Sequence, residues 1–126
     1  MLLRVRLMLV FATLLLLGLG TACAAESDME KFAKCLGKKK VTMYGAWWCP
    51  HCADQKKEFG PAFAYINYVE CAIPGKPPSV QTEACKQMQI KRYPTWVFSD
   101  GERVDAGLSL NQIAQKAGCP APTPSK

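Results

Sequence analysis

Cys49-Pro50-His51-Cys52 sets two thiols two residues apart, with a histidine between them. Such a pair can ligate a metal, attach a haem, form a static crosslink or cycle between dithiol and disulfide. Haem attachment uses a histidine directly after the second cysteine, and Ala53 stands there. Structural zinc takes four ligands; the missing two would have to come from Cys71 and Cys85, on separate elements. A crosslink between cysteines this close constrains the unfolded chain little. Reversible thiol–disulfide exchange fits the spacing best. Cys49 is then the exposed nucleophile, exchange runs through a mixed disulfide on Cys49, and the more buried Cys52 resolves it. Pro50 and His51 tune the pair, His51 by stabilising the Cys49 thiolate.

That chemistry needs Cys49 at a helix N-terminus, where unpaired backbone N–H groups and the positive dipole end favour a thiolate. Val41 to Ala46 is a short, mostly apolar run and reads as a buried strand. Pro50 suits the first turn of a helix, which continues from Cys52 to Phe59 and stops at Gly60-Pro61. Around this unit, Ser27 and Glu30 form a capping-box pattern. They open a helix with Met29, Phe32, Ala33 and Leu36 on one face and Gly37 as its stop. Ala64 to Cys71 reads as a second strand. Ala72 to Ser79, with Pro74, Gly75, Pro77 and Pro78, is a loop before a third helix over Val80 to Gln89.

Thr95 to Ser99 and Glu102 to Asp105 read as strands joined at Asp100-Gly101, a hairpin signal. Ser109 and Gln112 repeat the capping box and open a last helix. Its stripe is Leu110, Ile113, Ala114 and Ala117, and Gly118 ends it. The order gives an α/β fold: a four-stranded mixed sheet with helices on both faces. Helical connections predict that strand one lies parallel to strand two, and strand two to strand three. Trp47, Phe59, Phe63, Tyr65, Tyr68, Trp96 and Phe98 read as core or sheet residues, whereas Trp48, beside Cys49, faces a substrate.

The chain has 126 residues, room for one small domain. Arg4 and Arg6, the apolar run Leu7 to Leu19 and the small residues that follow make residues 1–22 an export signal, with 25 as an alternative end. The run is shorter than the ~20 residues of a spanning helix, and an uncleaved anchor is the other reading. Ala22-Cys23-Ala24 offers ordinary cleavage, while Cys23 could instead be a lipidated first residue after a lipoprotein signal. Gly20 stands where a lipobox has Leu. Residues 26–118 form the domain and 119–126 a Pro-rich tail.

With the signal removed, the formal charge falls from +6 to +4, because Arg4 and Arg6 go with it. That is a mildly basic, solvated surface and does not indicate nucleic-acid binding. Lys38-Lys39-Lys40 follows a helix end, where cations suit the macrodipole. Seven cysteines in a short exported chain point to an oxidising compartment. Setting Cys23 aside leaves six. Cys71 and Cys85 flank the Pro-rich loop and read as a structural staple, or as a second redox relay. Cys35 and Cys119 are left by parity, paired if the fold brings them together.

Tyr93-Pro94-Thr95 places a proline directly before the third strand. Proline favours a strand start over a strand interior. With the C-x-x-C after the first strand, this resembles the thioredoxin pattern. The resemblance implies that the Tyr93–Pro94 bond is cis, that Pro94 faces the dithiol, and that Tyr93 offers backbone hydrogen bonds to a peptide substrate.

Met43 to Cys52, Tyr65 to Cys71, Glu83-Ala84-Cys85 and Tyr93 to Trp96 occur in order. Together they resemble the thioredoxin-like domain associated with bacterial homologues of vitamin K epoxide reductase. The Cys-Pro-His-Cys tetrad is shared with DsbA-type oxidases. The resemblance covers roughly residues 28–117. It implies a protein thiol–disulfide oxidoreductase, without cofactor or metal, that oxidises exported proteins and is reoxidised by a quinone-linked membrane partner. In the same compartment, a reductase or isomerase is the second reading and a non-catalytic metal- or partner-binding module the third. One departure concerns proton transfer. Many thioredoxins carry an acid six positions before the first active cysteine; here Met43 occupies it, so Cys52 needs another proton acceptor.

Overall fold

The computed structural model describes residues 24–123. The export signal and Cys23 lie outside them. The elements in order are α1 (Asp28–Lys38), β1 (Thr42–Gly45), α2 (Pro50–Phe59), a 3₁₀ helix (Gly60–Tyr65), β2 (Asn67–Glu70), α3 (Glu83–Gln87), β3 (Thr95–Val97), β4 (Arg103–Val104) and α4 (Leu110–Ala117). No helix among the described residues is long and apolar enough to cross a membrane.

The four strands form one mixed sheet in the order β2-β1-β3-β4. β1 pairs parallel with β2, and β3 pairs antiparallel with both β1 and β4. This is a thioredoxin-type α/β sheet. The parallel relation expected between β2 and β3 does not occur: the two are not neighbours and run in opposite senses. A parallel crossover must carry the chain back along the strand, about 13 Å for four residues. The five residues of α3 rise only about 7.5 Å, and the Cys71–Cys85 disulfide ties that helix to the residue after β2.

Successive strand residues face opposite sides of the sheet, so alternation splits the core in two. Met43 and Trp96 join Phe32, Leu36, Phe59 and Ile113 in the larger core, under α1, α2 and α4. Tyr44 joins Cys71, Cys85 and Ile90 in a smaller one, under α3. Placing α1 and α4 on one core brings Cys35 and Cys119 together, with their Cα atoms 6.1 Å apart and their sulfurs bonded. Cys119 is thus part of the domain rather than the start of a tail, and Thr123 beyond it hydrogen-bonds Asp28.

Both capping boxes form, at Ser27–Glu30 and Ser109–Gln112. The strands are a residue or two shorter than the sequence reading, and three other boundaries differ for a visible reason. α1 runs through Gly37 to Lys38; a Cβ there would stand 2.6 Å from the Tyr65 carbonyl oxygen, so this glycine serves close packing, not a stop. Ala64 and Tyr65 belong to the 3₁₀ helix that Pro61 opens, which delays β2 to Asn67. Val80 to Thr82 is extended, because Gln81 bridges Ala72 and the Thr82 N–H donates to the Cys71 carbonyl at 2.9 Å. α3 therefore starts only at Glu83. Lys39 serves the end of a different helix from the one it follows: its Nζ donates to the Ala117 and Gly118 carbonyls, 2.8 Å each, at the C-terminus of α4.

Candidate active site

The buried strand β1 delivers the chain to a turn, Ala46 to Trp48, and α2 begins at once. Cys49 is the N-cap of α2 and Pro50 its first residue, where a missing N–H costs nothing. The Cys49 N–H donates to the Ala46 carbonyl at 2.9 Å, and its own carbonyl accepts from Ala53 at 3.1 Å. Cys49 therefore stands at the helix start, where backbone N–H groups lack intrahelical partners, although its sulfur makes no cap hydrogen bond to them.

The Tyr93–Pro94 peptide bond is cis. The Tyr93 carbonyl faces the dithiol, 3.7 Å from Cys49 Sγ. Pro94 itself is fully buried. Because its sulfur turns inward to that carbonyl, Cys49 is only 5% exposed, not the open thiol the sequence suggested. Its approach is a groove of about 810 Å³ bordered by Trp48, His51, Gln81, Arg92, Tyr93 and Pro94. Trp48 and Tyr93 meet edge to face with centroids 5.7 Å apart, and Tyr93 Oη is held by the Gln81 amide. Pro50 and His51 are exposed, His51 at the groove's rim. Trp47, expected in the core, is 63% exposed beside Trp48. Its side chain points outward while its backbone N–H is pinned to Glu70 Oε1 at 3.1 Å.

Cys52 is 1% exposed. Burial pushes its thiol up to about 12; a backbone hydrogen bond from Ala46 partly opposes this, and the Cys49 side chain adds to it. Cys52 is therefore a neutral thiol near neutral pH. Cys49 and Cys52 are both unbonded thiols in this structure, while Cys35–Cys119 and Cys71–Cys85 are disulfides. The two sulfurs that a zinc site would have borrowed are thus bonded to each other.

Sequence reasoning passed over three polar groups that shape the site. Gln55, almost fully buried, accepts from the Leu108 N–H (3.0 Å) and Trp96 Nε1 (3.3 Å) and donates to the Leu108 carbonyl (2.9 Å). It locks α2 to β3 and to the loop before α4. Glu70 accepts from the Trp47 and Ala72 N–H groups and, at 2.8 Å, from the Tyr68 hydroxyl. Tyr68 and Glu70 stand two apart on β2 and share a face, a signal visible in the sequence. Glu70's place opposite Gly45 comes from register alone.

The fold is thioredoxin-like, and it sets a Cys-Pro-His-Cys dithiol opposite a cis-proline loop. Among known proteins the chain is similar to the thiol-disulfide oxidoreductase LTO1 of Arabidopsis thaliana, 38% identical over 88 residues. The match covers 68% of this chain and 23% of that protein, so the chain spans under a quarter of the relative's length. No family model matches the chain.

Proposed function

We propose that the protein is a thiol–disulfide oxidoreductase of exported proteins, working in the oxidising direction. Its compartment is the exported, periplasmic side, free or held to the membrane through its N-terminus. The carrying observation is the meeting of Cys49, at the head of α2, with the Tyr93 carbonyl at 3.7 Å. A peptide laid in the groove as an extended strand finds a backbone acceptor beside the reactive sulfur. Trp48, Tyr93 and Pro94 form the apolar wall against which it packs.

Starting from the Cys49–Cys52 disulfide, a substrate thiolate attacks Cys49 Sγ. The S–S bond breaks with its electron pair on Cys52, which takes a proton. A second substrate thiolate then attacks the substrate sulfur of the mixed disulfide and releases Cys49 as a thiolate. The substrate gains one disulfide and the protein is left reduced by two electrons. The name of the similar plant protein supports the exchange chemistry. The likeness to domains that accompany vitamin K epoxide reductase homologues supports a quinone-linked membrane protein as the reoxidising partner.

The test uses the oxidised full chain and reduced, unfolded ribonuclease A in stoichiometric amounts. Ribonuclease disulfides should appear as Cys49 and Cys52 become thiols, and Cys49→Ser should transfer none. No transfer by the unmodified chain would remove the reading. For the partner, membranes containing the reductase homologue should reoxidise the reduced chain only when quinone is supplied.

A further inference from the structure

The dithiol reading leaves a proton unassigned. Cys52 must gain a proton when it leaves a disulfide and lose one when it resolves a mixed disulfide. Position 43, where a buried acid would serve, holds a fully buried methionine. Resting on that reading, we propose that Tyr68 and Glu70 form the proton relay of Cys52, with the bare Cα of Gly45 as the place where it meets the thiol.

The geometry converges on Gly45. A Cβ added there would stand 2.9 Å from Tyr68 Oη and 3.0 Å from Cys52 Sγ. The phenol tip and the thiol thus crowd the same backbone point, from β2 and from α2, and a side chain at position 45 would separate them. With both atoms within 3.0 Å of that point, a single bridging water would complete the path between them. On its other side Tyr68 Oη donates to Glu70 Oε2 at 2.8 Å. Glu70 Oε1 is fixed by the Trp47 and Ala72 N–H groups at 3.1 and 2.9 Å, so the carboxylate cannot swing away.

The titratable and charged groups around Cys52 are few. Cys49 and Lys56 come from α2, Tyr68 and Glu70 from β2, and Tyr93 from the loop before β3; β1 contributes only backbone and Gly45. Lys56 Nζ lies 3.7 Å from the centre of the Tyr68 ring and favours negative charge on Cys52. Burial and the neighbouring Glu70 push the Tyr68 phenol up, so Tyr68 passes a proton rather than holding a charge.

During resolution, Cys52 Sγ gives its proton through the water to Tyr68 Oη, while Tyr68 gives its own to Glu70. The Cys52 thiolate attacks Cys49 Sγ, the Cys49–substrate S–S bond breaks, and the electron pair leaves on the substrate sulfur. In disulfide donation the same path runs backwards. A proton taken up from solvent at Glu70 reaches Cys52 as its sulfur departs. Glu70, half-buried at the edge strand β2, is open enough for that exchange.

The test mixes the reduced full chain with one equivalent of 4,4′-dithiodipyridine in a stopped-flow instrument. The first thiopyridone released reports attack by Cys49, and the second reports resolution by Cys52. Tyr68→Phe and Glu70→Gln should keep the first phase. Each should slow the second on the order of 10²-fold at neutral pH, the usual weight of a positioned proton acceptor. The second phase should be nearly flat with pH in the unmodified chain. In the variants it should rise about tenfold per pH unit as hydroxide replaces the relay, an effect that lost packing would not produce. Melting curves confirm folding, and Glu70→Gln carries the test alone if Tyr68→Phe does not fold. Two unaltered second phases, or an unaltered Glu70→Gln phase, would overturn the relay. Absence of both phases in the unmodified chain would instead overturn the dithiol reading.

Discussion

Three cysteine pairs share this small domain, and burial does not tell them apart. Cys71 and Cys85 are fully buried, but so nearly are Cys49 and Cys52. What separates the pairs is what they join and what surrounds them. Cys35–Cys119 spans 84 residues and Cys71–Cys85 spans 14, each linking separate parts of the chain inside apolar packing. Cys49 and Cys52 share one helical turn, face a carbonyl and a groove, and lie beside two exposed tryptophans. A long loop makes a disulfide a constraint on the unfolded chain. A turn of helix that opens on a groove makes it a reagent.

The largest way to break that contrast is by activity. Cys49→Ser should lower disulfide transfer by at least about 10³-fold, as loss of a nucleophile does. The double variant Cys71→Ala/Cys85→Ala should stay within severalfold of the unmodified chain. Transfer lost equally in both would make Cys71–Cys85 a second relay. Stability should order the pairs differently. Chain-entropy reasoning gives about 4.5 kcal/mol for Cys35–Cys119 and about 3 kcal/mol for Cys71–Cys85. Urea unfolding of Cys35→Ala/Cys119→Ala should therefore show the greater loss; a smaller loss than for Cys71/Cys85 would mean that the long loop is already constrained when unfolded.

A smaller effect sharpens the contrast within the reactive pair. Burial pushes the Cys52 thiol up to about 12, so its thiolate fraction is negligible at neutral pH and grows about tenfold per pH unit through the alkaline range. Iodoacetamide on the reduced chain should label Cys49 alone at pH ~7 and reach Cys52 only as the pH rises. Equal labelling at neutral pH, read by mass spectrometry, would contradict the burial argument.

The dithiol, its place at a helix start and the four-stranded sheet were legible because each rests on local pattern: Pro50 after Cys49, alternating apolar runs, two capping boxes. The sense of β3 was not legible, since helix-joined strands usually run parallel and only the five-residue length of α3 and its disulfide deny the crossover. The burial of Cys49 and the exposure of Trp47 depend on how one turn points its side chains, which composition does not encode. Glu70 was hidden for a different reason. Its proximity to the site comes from β1–β2 register, a long-range fact, although its spacing from Tyr68 is written in the chain.

The direction of electron flow is the central claim, and the reduction potential of Cys49–Cys52 tests it most directly. The chain would be equilibrated with glutathione buffers, with the two bonded pairs monitored separately by mass. A value between about −120 and −180 mV, the range of disulfide donors and isomerases, is the predicted result. A value of about −270 mV, where thioredoxin lies, would make the protein a reductase and contradict the account.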